Sequence, residues 1–256
     1  MSFAQQISEA SGGTVYGLQP FGGDGNSLTV WARQQGDEIY GDDGSVVVKP
    51  ETVESYWQYV LDAINSGAAP SASLVAENAS AGVDQSMITT QRIAMAEIPN
   101  AQLAAFIAAS GANLKVVKMP AATEGNAEWE YLRSSMYWAV SAGTEHPAEA
   151  ALFVDFLVNN ETAGNLLLAE RGVPANQKML EVVRGAFAPS DQEAADYVDM
   201  LKAEITTDPP AAPPAGASGI DNMMARYRDQ VIFGQTTPAE AAEAFVAELT
   251  AAVDSA

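Results

Sequence analysis

The sequence offers few side chains for catalysis. It has one histidine, His146, no cysteine, and 33 acidic residues against 12 basic ones. A Ser-His-Asp triad would have to use His146, which stands immediately before Pro147 at the start of a helical pattern. Proline is tolerated in a first helical turn, where amides have no intrahelical partner. Thr144 or His146 is placed to cap that turn, and Glu149 suits the positive end of the helix dipole. His146 is therefore read as scaffold. Zinc chemistry lacks its His and Cys ligands. Carboxylates are plentiful, yet no spacing selects a pair of the kind a glycoside-active enzyme uses. The loop Phe21–Ser27 contains Gly22, Gly23 and Gly25 but has neither the Lys-Ser/Thr ending nor the spacing of a phosphate loop. The acidic turn at 41–44 lacks the alternating ligands and closing Glu of a calcium loop. No metal or cofactor is implied.

What remains is a set of aromatic and amide side chains on loops: Phe21, Asn26, Trp31, Asn100, Trp129, Tyr131, Tyr137 and Asn222. Sugars bind through aromatic faces laid against their C–H surfaces, with Asn, Asp and Arg bonding the hydroxyls. A carbohydrate-binding protein, a glycoside-active enzyme and a sugar-sensing module are all compatible with such a set.

The formal net charge is -21. Such a surface repels nucleic acid and anionic lipid, because phosphate binding needs clustered Lys and Arg. It tolerates neutral or cationic small ligands. No apolar run reaches transmembrane length; the nearest, around 103–109, is stopped by Ser110, Gly111 and Asn113. The opening MSFAQQISEASGG shows no basic segment followed by an apolar one, so no signal peptide is visible in it.

The elements that must position these residues alternate in type. Thr14–Leu18 and Arg92–Ile98 favour strands, as do Leu114–Met119, Ser134–Ala142 and the segment after the turn at 41–44. From Pro50, the residues Val53, Tyr56, Trp57, Val60, Leu61 and Ile64 recur with helical spacing, and Gly67 follows as a C-terminal stop. Tyr56 and Trp57 are thus core residues. Ala150, Phe153, Val154, Leu157 and Val158 form another apolar face. A following helix from about Glu161 carries Ala163, Leu166 and Leu167 inward and stops near Gly172. The segment 206–218 is a proline-rich connector. Beyond it come a helix over IDNMMARYRDQVIFG and a second one opened by Thr237, Pro238 and Glu240. Strands separated by helical crossovers give an α/β architecture.

The order of segments resembles the extracellular solute-binding proteins of bacterial sugar ABC transporters, the maltose-binding-protein-like group. The stretches that carry the likeness are SLTVWARQQGDEIYGDDGSVVV, PETVESYWQYV through INSGAAP, QRIAMAEIPNAQLAAF, SSMYWAVSAGTEHPAEAALFVDFLVNNETAGNLLLAERGVPAN, DPPAAPPAGAS and FGQTTPAEAAEAFVAEL. The resemblance implies a periplasmic-binding-protein type II two-lobed fold, truncated at the N-terminus. It places 1–130 in most of the C-terminal lobe, 131–205 in a section of the N-terminal lobe, and 206–256 back in the C-terminal lobe. It implies a cleft that takes a mono- or oligosaccharide, with ABC permease subunits as partners, no enzymatic activity, and an extracytoplasmic, monomeric full-length parent. The site it implies comprises Phe21, Asp24, Asn26 and Trp31; Pro99, Asn100, Tyr131 and Arg133; and Tyr137, Asn222 and Arg226. Trp31 would stack on a sugar ring, while Asn100 and Arg133 would bond hydroxyls. The sequence departs from the family at EIPNAQ, where a tryptophan is common. Its front is also expected to be missing, which would leave strands unpaired and apolar faces exposed.

Overall fold

Trp57 is the largest fully buried side chain in the computed structural model, which describes every residue except 20, 121–128, 135 and 206. Thirteen regular elements are described: α1 (Ser2–Ala10), β1 (Tyr16–Leu18), α2 (Gly25–Gln34), α3 (Pro50–Asn65), α4 (Ala72–Asn78), β2 (Ile93–Met95), α5 (Leu103–Ser110), α6 (Pro147–Asn159), α7 (Glu161–Leu167), α8 (Gln177–Val183), α9 (Pro189–Glu204), α10 (Ile220–Ile232) and α11 (Pro238–Asp254). The chain forms two compact units. One comprises Met1–Glu97, Met119–Tyr131 and Ile205–Ala256; the other comprises Ile98–Lys118 and Leu132–Glu204. Residues 98–118 therefore group with the unit that holds 132–204, not with the segment before them.

The first unit is organised around α3. Pro50 occupies its first turn, and the chain leaves it through Ser66 and Gly67, the latter at φ +75°. Its buried face, Val53, Tyr56, Trp57 and Val60, packs against α11 and α10. Trp57 meets Phe245 edge-on at 5.6 Å and Tyr227 at 6.1 Å. α11 starts with a reciprocal capping box: Thr237 Oγ1 accepts from the Glu240 amide, and Glu240 Oε2 accepts from the Thr237 amide. Its buried face is Ala242, Phe245 and Leu249. From 207 onward the proline-rich connector runs without helix until a short turn at Ala217–Gly219. Gly216, at φ +84°, lies so close to α11 that a Cβ there would stand 2.2 Å from the Ala252 carbonyl oxygen. β1 and β2 pair in parallel, Tyr16 opposite Ile93 and Leu18 opposite Met95.

In the second unit, α5 packs against α9, and α6, α7 and α8 pack in succession. α6 begins at Pro147 as expected, and the His146 amide donates to Thr144 Oγ1 at 3.1 Å. No side-chain bond from His146 caps the helix. Three expectations need correction here. The apolar face of α6 is not covered by the described residues: Phe153 is 61% exposed, and Leu152, Phe156 and Val158 are exposed too. α7 ends at Leu167, five residues short of Gly172, where Leu168 turns the chain at φ +46°. Ala163 of that helix is buried, but Leu166 is 81% exposed.

The strand expectations also divide. β1 and β2 form, and 41–48 gives an antiparallel bridge, Tyr40 opposite Val46. Neither 114–119 nor the described part of 134–142 is strand; Ser135 lies outside the described residues. A strand needs a neighbour for its amides and carbonyls. Here the Val116 amide donates instead to Glu193 Oε1 at 3.0 Å, and the Met119 amide to Glu130 Oε1 at 3.1 Å. Side-chain carboxylates take the place of a ladder.

The burial contrast is testable. Phe245→Ala should cost about 3–5 kcal/mol, as for other fully buried aromatics. Phe153→Ser should stay within about 0.5 kcal/mol, as for open surface sites. Urea unfolding of both variants reads the difference, and a comparable loss in Phe153→Ser would show that α6 is covered.

Candidate functional site

The loop Phe21–Ser27 is held from three sides. Trp57 Nε1 donates to the Gly22 carbonyl at 3.0 Å. Gly22, at φ +91°, lies against α3 so closely that a Cβ would come within 2.9 Å of Val60 Cγ2. A Cβ on Gly23 would meet Arg228 Nη1 of α10 at 2.5 Å. The Gly25 amide donates to Asp221 Oδ1, also on α10, at 2.8 Å. The loop's glycines are thus required by one positive φ and by close packing.

Asp24 is the N-cap of α2. Its Oδ1 accepts from the amides of Asn26 at 3.1 Å and Ser27 at 2.9 Å. Oδ2 lies 2.7 Å from Ser27 Oγ, and that same oxygen lies 2.8 Å from Glu97 Oε2. Glu97 arrives here because β2 pairs with β1: two residues beyond Met95, its amide donates to Gln19 Oε1 at 2.8 Å. Burial, and secondarily the Asp24 charge, push the Glu97 carboxyl up to about 7, against the opposing effect of its Ser27 bond. The Tyr56 hydroxyl is fully buried beside the Ser27 side chain and the Gly22 amide, without reaching hydrogen-bond geometry to either. Burial, with the Asp24 and Glu97 charges, holds that phenol well above its ordinary range.

Three half-buried aromatic rings lie beside this loop. Phe21 stacks on Tyr59 with ring centres 6.1 Å apart, and Trp31 tilts against Tyr59 at 5.1 Å. Trp31 also leans on buried Tyr56 at 5.4 Å, and its Nε1 donates to Ser55 Oγ at 2.9 Å. Burial raises the Tyr59 phenol. Partly exposed rings next to a polar turn can lie against the C–H face of a sugar while the turn bonds its hydroxyls.

The expected site residues fall in both units. Phe21, Asp24, Asn26, Trp31, Tyr131, Asn222 and Arg226 are in the first; Pro99, Asn100, Arg133 and Tyr137 are in the second. Asp24 spends both oxygens on the start of α2. Exposed Asn222 lies on α10 next to Asp221, the acceptor for the loop. Arg226 pairs with Glu248 of α11 and stands over the Tyr227 ring at 4.8 Å. Tyr131 lies 5.7 Å from the Arg33 guanidinium, which also bonds Thr207 Oγ1 and the Asp208 carbonyl. In the second unit Asn100 opens a short turn after Pro99, Arg133 is exposed, and Tyr137 is 81% exposed. Residues 121–128 of the polar loop ending at Trp129 lie outside the described residues. Sequence reasoning missed Glu97 and Tyr59. Tyr59 carries a signal, an aromatic on the flank of the apolar stripe of α3; Glu97 carries none, being one carboxylate among many. Among the described residues, no group of three or more His, Cys, Asp or Glu is arranged to hold a metal.

The chain crosses between its two compact units more than once, and its fold is that of the two-lobed periplasmic solute-binding proteins. The chain belongs to the bacterial extracellular solute-binding protein family, whose model matches residues 2–202. It is similar to an extracellular solute-binding protein of family 1 from Alicyclobacillus acidocaldarius, at 22% identity and a TM-score of 0.79, covering 98% of this chain and 63% of that one. A periplasmic oligogalacturonide-binding protein from Yersinia enterocolitica, solved with saturated digalacturonic acid, matches at 17% identity and 0.80, covering 98% and 65%. The GacH receptor of Streptomyces glaucescens, studied unliganded and with acarbose, matches at 17% and 0.69, covering 99% and 62%. The chain thus spans 62–65% of the length of these structures. No described helix is long and apolar enough to cross a membrane.

The packing of the loop can be probed with two glycines of positive φ. Gly36, at φ +70°, has nothing within 4 Å of a Cβ, so Gly36→Ala should cost only backbone strain, about 1–2 kcal/mol. Gly22→Ala must also displace Val60, and should lower the urea midpoint further. Equal losses would show that the loop is not packed tightly on α3.

Proposed function

We propose that this chain is the carbohydrate-binding component of an ABC importer, or a large part of one, and that the loop Phe21–Ser27 with Phe21, Trp31 and Tyr59 supplies its sugar-contacting surface in the first unit. The observation that carries the reading is the trio of half-buried rings beside a polar, glycine-packed loop. Membership of a solute-binding family supports it, as do similar structures whose names record saccharide ligands. Asn26 and Asn222 would supply hydroxyl partners in this unit. The first unit corresponds to the lobe called C-terminal above, and the full-length protein works outside the cytoplasm, delivering sugar to a permease. The ligand is a neutral saccharide in preference to a uronate, because a net charge of -21 opposes an anion and the loop's basic neighbour Arg228 is committed to Asp229.

Thermal melts with a panel of neutral oligosaccharides and digalacturonate test this. A sugar at 100 times its dissociation constant adds about 2.7 kcal/mol. One neutral class should raise the melting temperature, and Trp31→Ala should weaken that binding by about 1–3 kcal/mol. His146→Gln should leave it unchanged. A sharp melt that no sugar moves would sink the sugar reading, and a shift with digalacturonate alone would reverse the charge preference.

A further inference from the structure

The Ser27 hydroxyl stands between two carboxyl groups, 2.7 Å from Asp24 Oδ2 and 2.8 Å from Glu97 Oε2. A serine hydroxyl has one hydrogen and can donate to only one of them. Two ionised carboxylates have no hydrogen to return. Both short contacts are satisfied together only if one carboxyl carries a proton. Asp24 is the less suited: its Oδ1 is already committed as acceptor to two amides at the start of α2. Glu97 is the better one. It is half-buried, faces the Asp24 charge, and has a carboxyl pushed up to about 7.

Among the described residues, no cation contributes to the charge around Glu97. From α3, buried Tyr56 aims an unpartnered hydroxyl into the same place. From the end of β1, Gln19 gives Glu97 an acceptor for its amide. From α10, Asp221 adds a further carboxylate at Gly25, while Arg228 packs against Gly23 with Nε and Nη2 on Asp229 Oδ1.

We propose that Glu97 is a positioning residue which, as the neutral acid, donates to Ser27 while Ser27 donates to Asp24, so that one proton joins the end of β2 to the start of α2 and fixes the Phe21–Ser27 loop. On ionisation that proton goes to solvent, the Ser27 hydrogen serves one carboxylate, and the other contact becomes a repulsion between lone pairs. The effect on affinity rests on the sugar-binding reading of the loop; the latch itself does not. The folded-state pKa is raised, so the latch contributes fully below the unfolded carboxyl value of about 4.3 and is lost as pH rises through about 7.

Melting temperatures of the wild type and Glu97→Gln from pH 4.5 to 8.5 test the latch. Glutamine keeps a donor towards Ser27 but has no ionisation, whereas repulsion among the other acids is common to both proteins. The curves should lie close together at the acid end and diverge through neutrality, with the variant several degrees more stable at pH 8. Parallel curves would overturn the latch. The carboxyl carbon of Glu97 in the wild type, followed by NMR, should titrate near neutrality; a midpoint in the ordinary carboxylate range would overturn it without reference to any variant. With a sugar that binds, wild-type affinity should fall several-fold above neutrality and that of Glu97→Gln should hold. Titration of Glu97 with no change in affinity would overturn the positioning role. A pH step in stability with no sugar bound at any pH would support the latch and count against the sugar reading.

Discussion

The indole of Trp57 is the contact on which the first unit depends. Its ring is 0% exposed and packs against Phe245 and Tyr227, so α3, α10 and α11 close around it. A buried indole N–H left without an acceptor is costly, which makes the direction of that bond a constraint on the fold. The acceptor is the Gly22 carbonyl. One side chain therefore anchors the hydrophobic core and fixes the backbone of the loop that leads into α2. The Gly22 backbone can approach only because it has no Cβ, and Asp24, two residues on, starts the helix. The loop is an extension of the core.

The second unit follows another logic. Its buried positions include Leu103 and Phe106 of α5, Ala194, Ala195 and Leu201 of α9, and Met179, Leu180 and Val183 of α8, two or three to a helix. α6 has the apolar spacing of a half-buried helix, but no residue of it is buried. Met136, Tyr137, Trp138 and Val140 are likewise exposed. Periodicity records which side of a helix is meant to be covered; it cannot name what covers it. The similar structures contain more polypeptide than this chain, which covers 62–65% of them.

Legibility in the sequence follows the range of the interactions involved. α3 and α11 could be read because their determinants lie within a few residues: Pro50 and Gly67 mark the limits of one, the Thr237–Glu240 box begins the other, and apolar spacing sets both faces. The segments 114–119 and 134–142 were read as strands from composition, but pairing is decided by a partner that composition does not contain. The amides of Val116 and Met119 turn to glutamates instead. At the site, the glycine loop and Trp31 were visible as local features. Glu97 was not, because its place follows from parallel pairing of residues more than seventy positions apart, Tyr16 with Ile93. Tyr59 stood in plain view, but the helical count assigned only the stripe around it.

Acidic residues far outnumber basic ones, 33 to 12, and hold many of them in pairs. Arg33, Arg184, Arg226 and Arg228 each pair with a carboxylate, as do Lys115 and Lys118. Exposed pairs of this kind add little stability, but they occupy much of the available positive charge and leave the remaining field negative. Inside that field, each further ionised carboxyl drawn from water meets both the loss of hydration and the repulsion of those already present. Asp24 has two amide donors at the start of α2. Among the described residues no backbone amide donates to the Glu97 carboxyl: its own amide is spent on Gln19, and its carboxyl faces Ser27. Burial beside Asp24 therefore lets Glu97 keep its proton up to about pH 7. How this single glutamate is held beside the loop is thus set locally, by its burial and by the neighbouring Asp24 charge, against the opposing Ser27 bond.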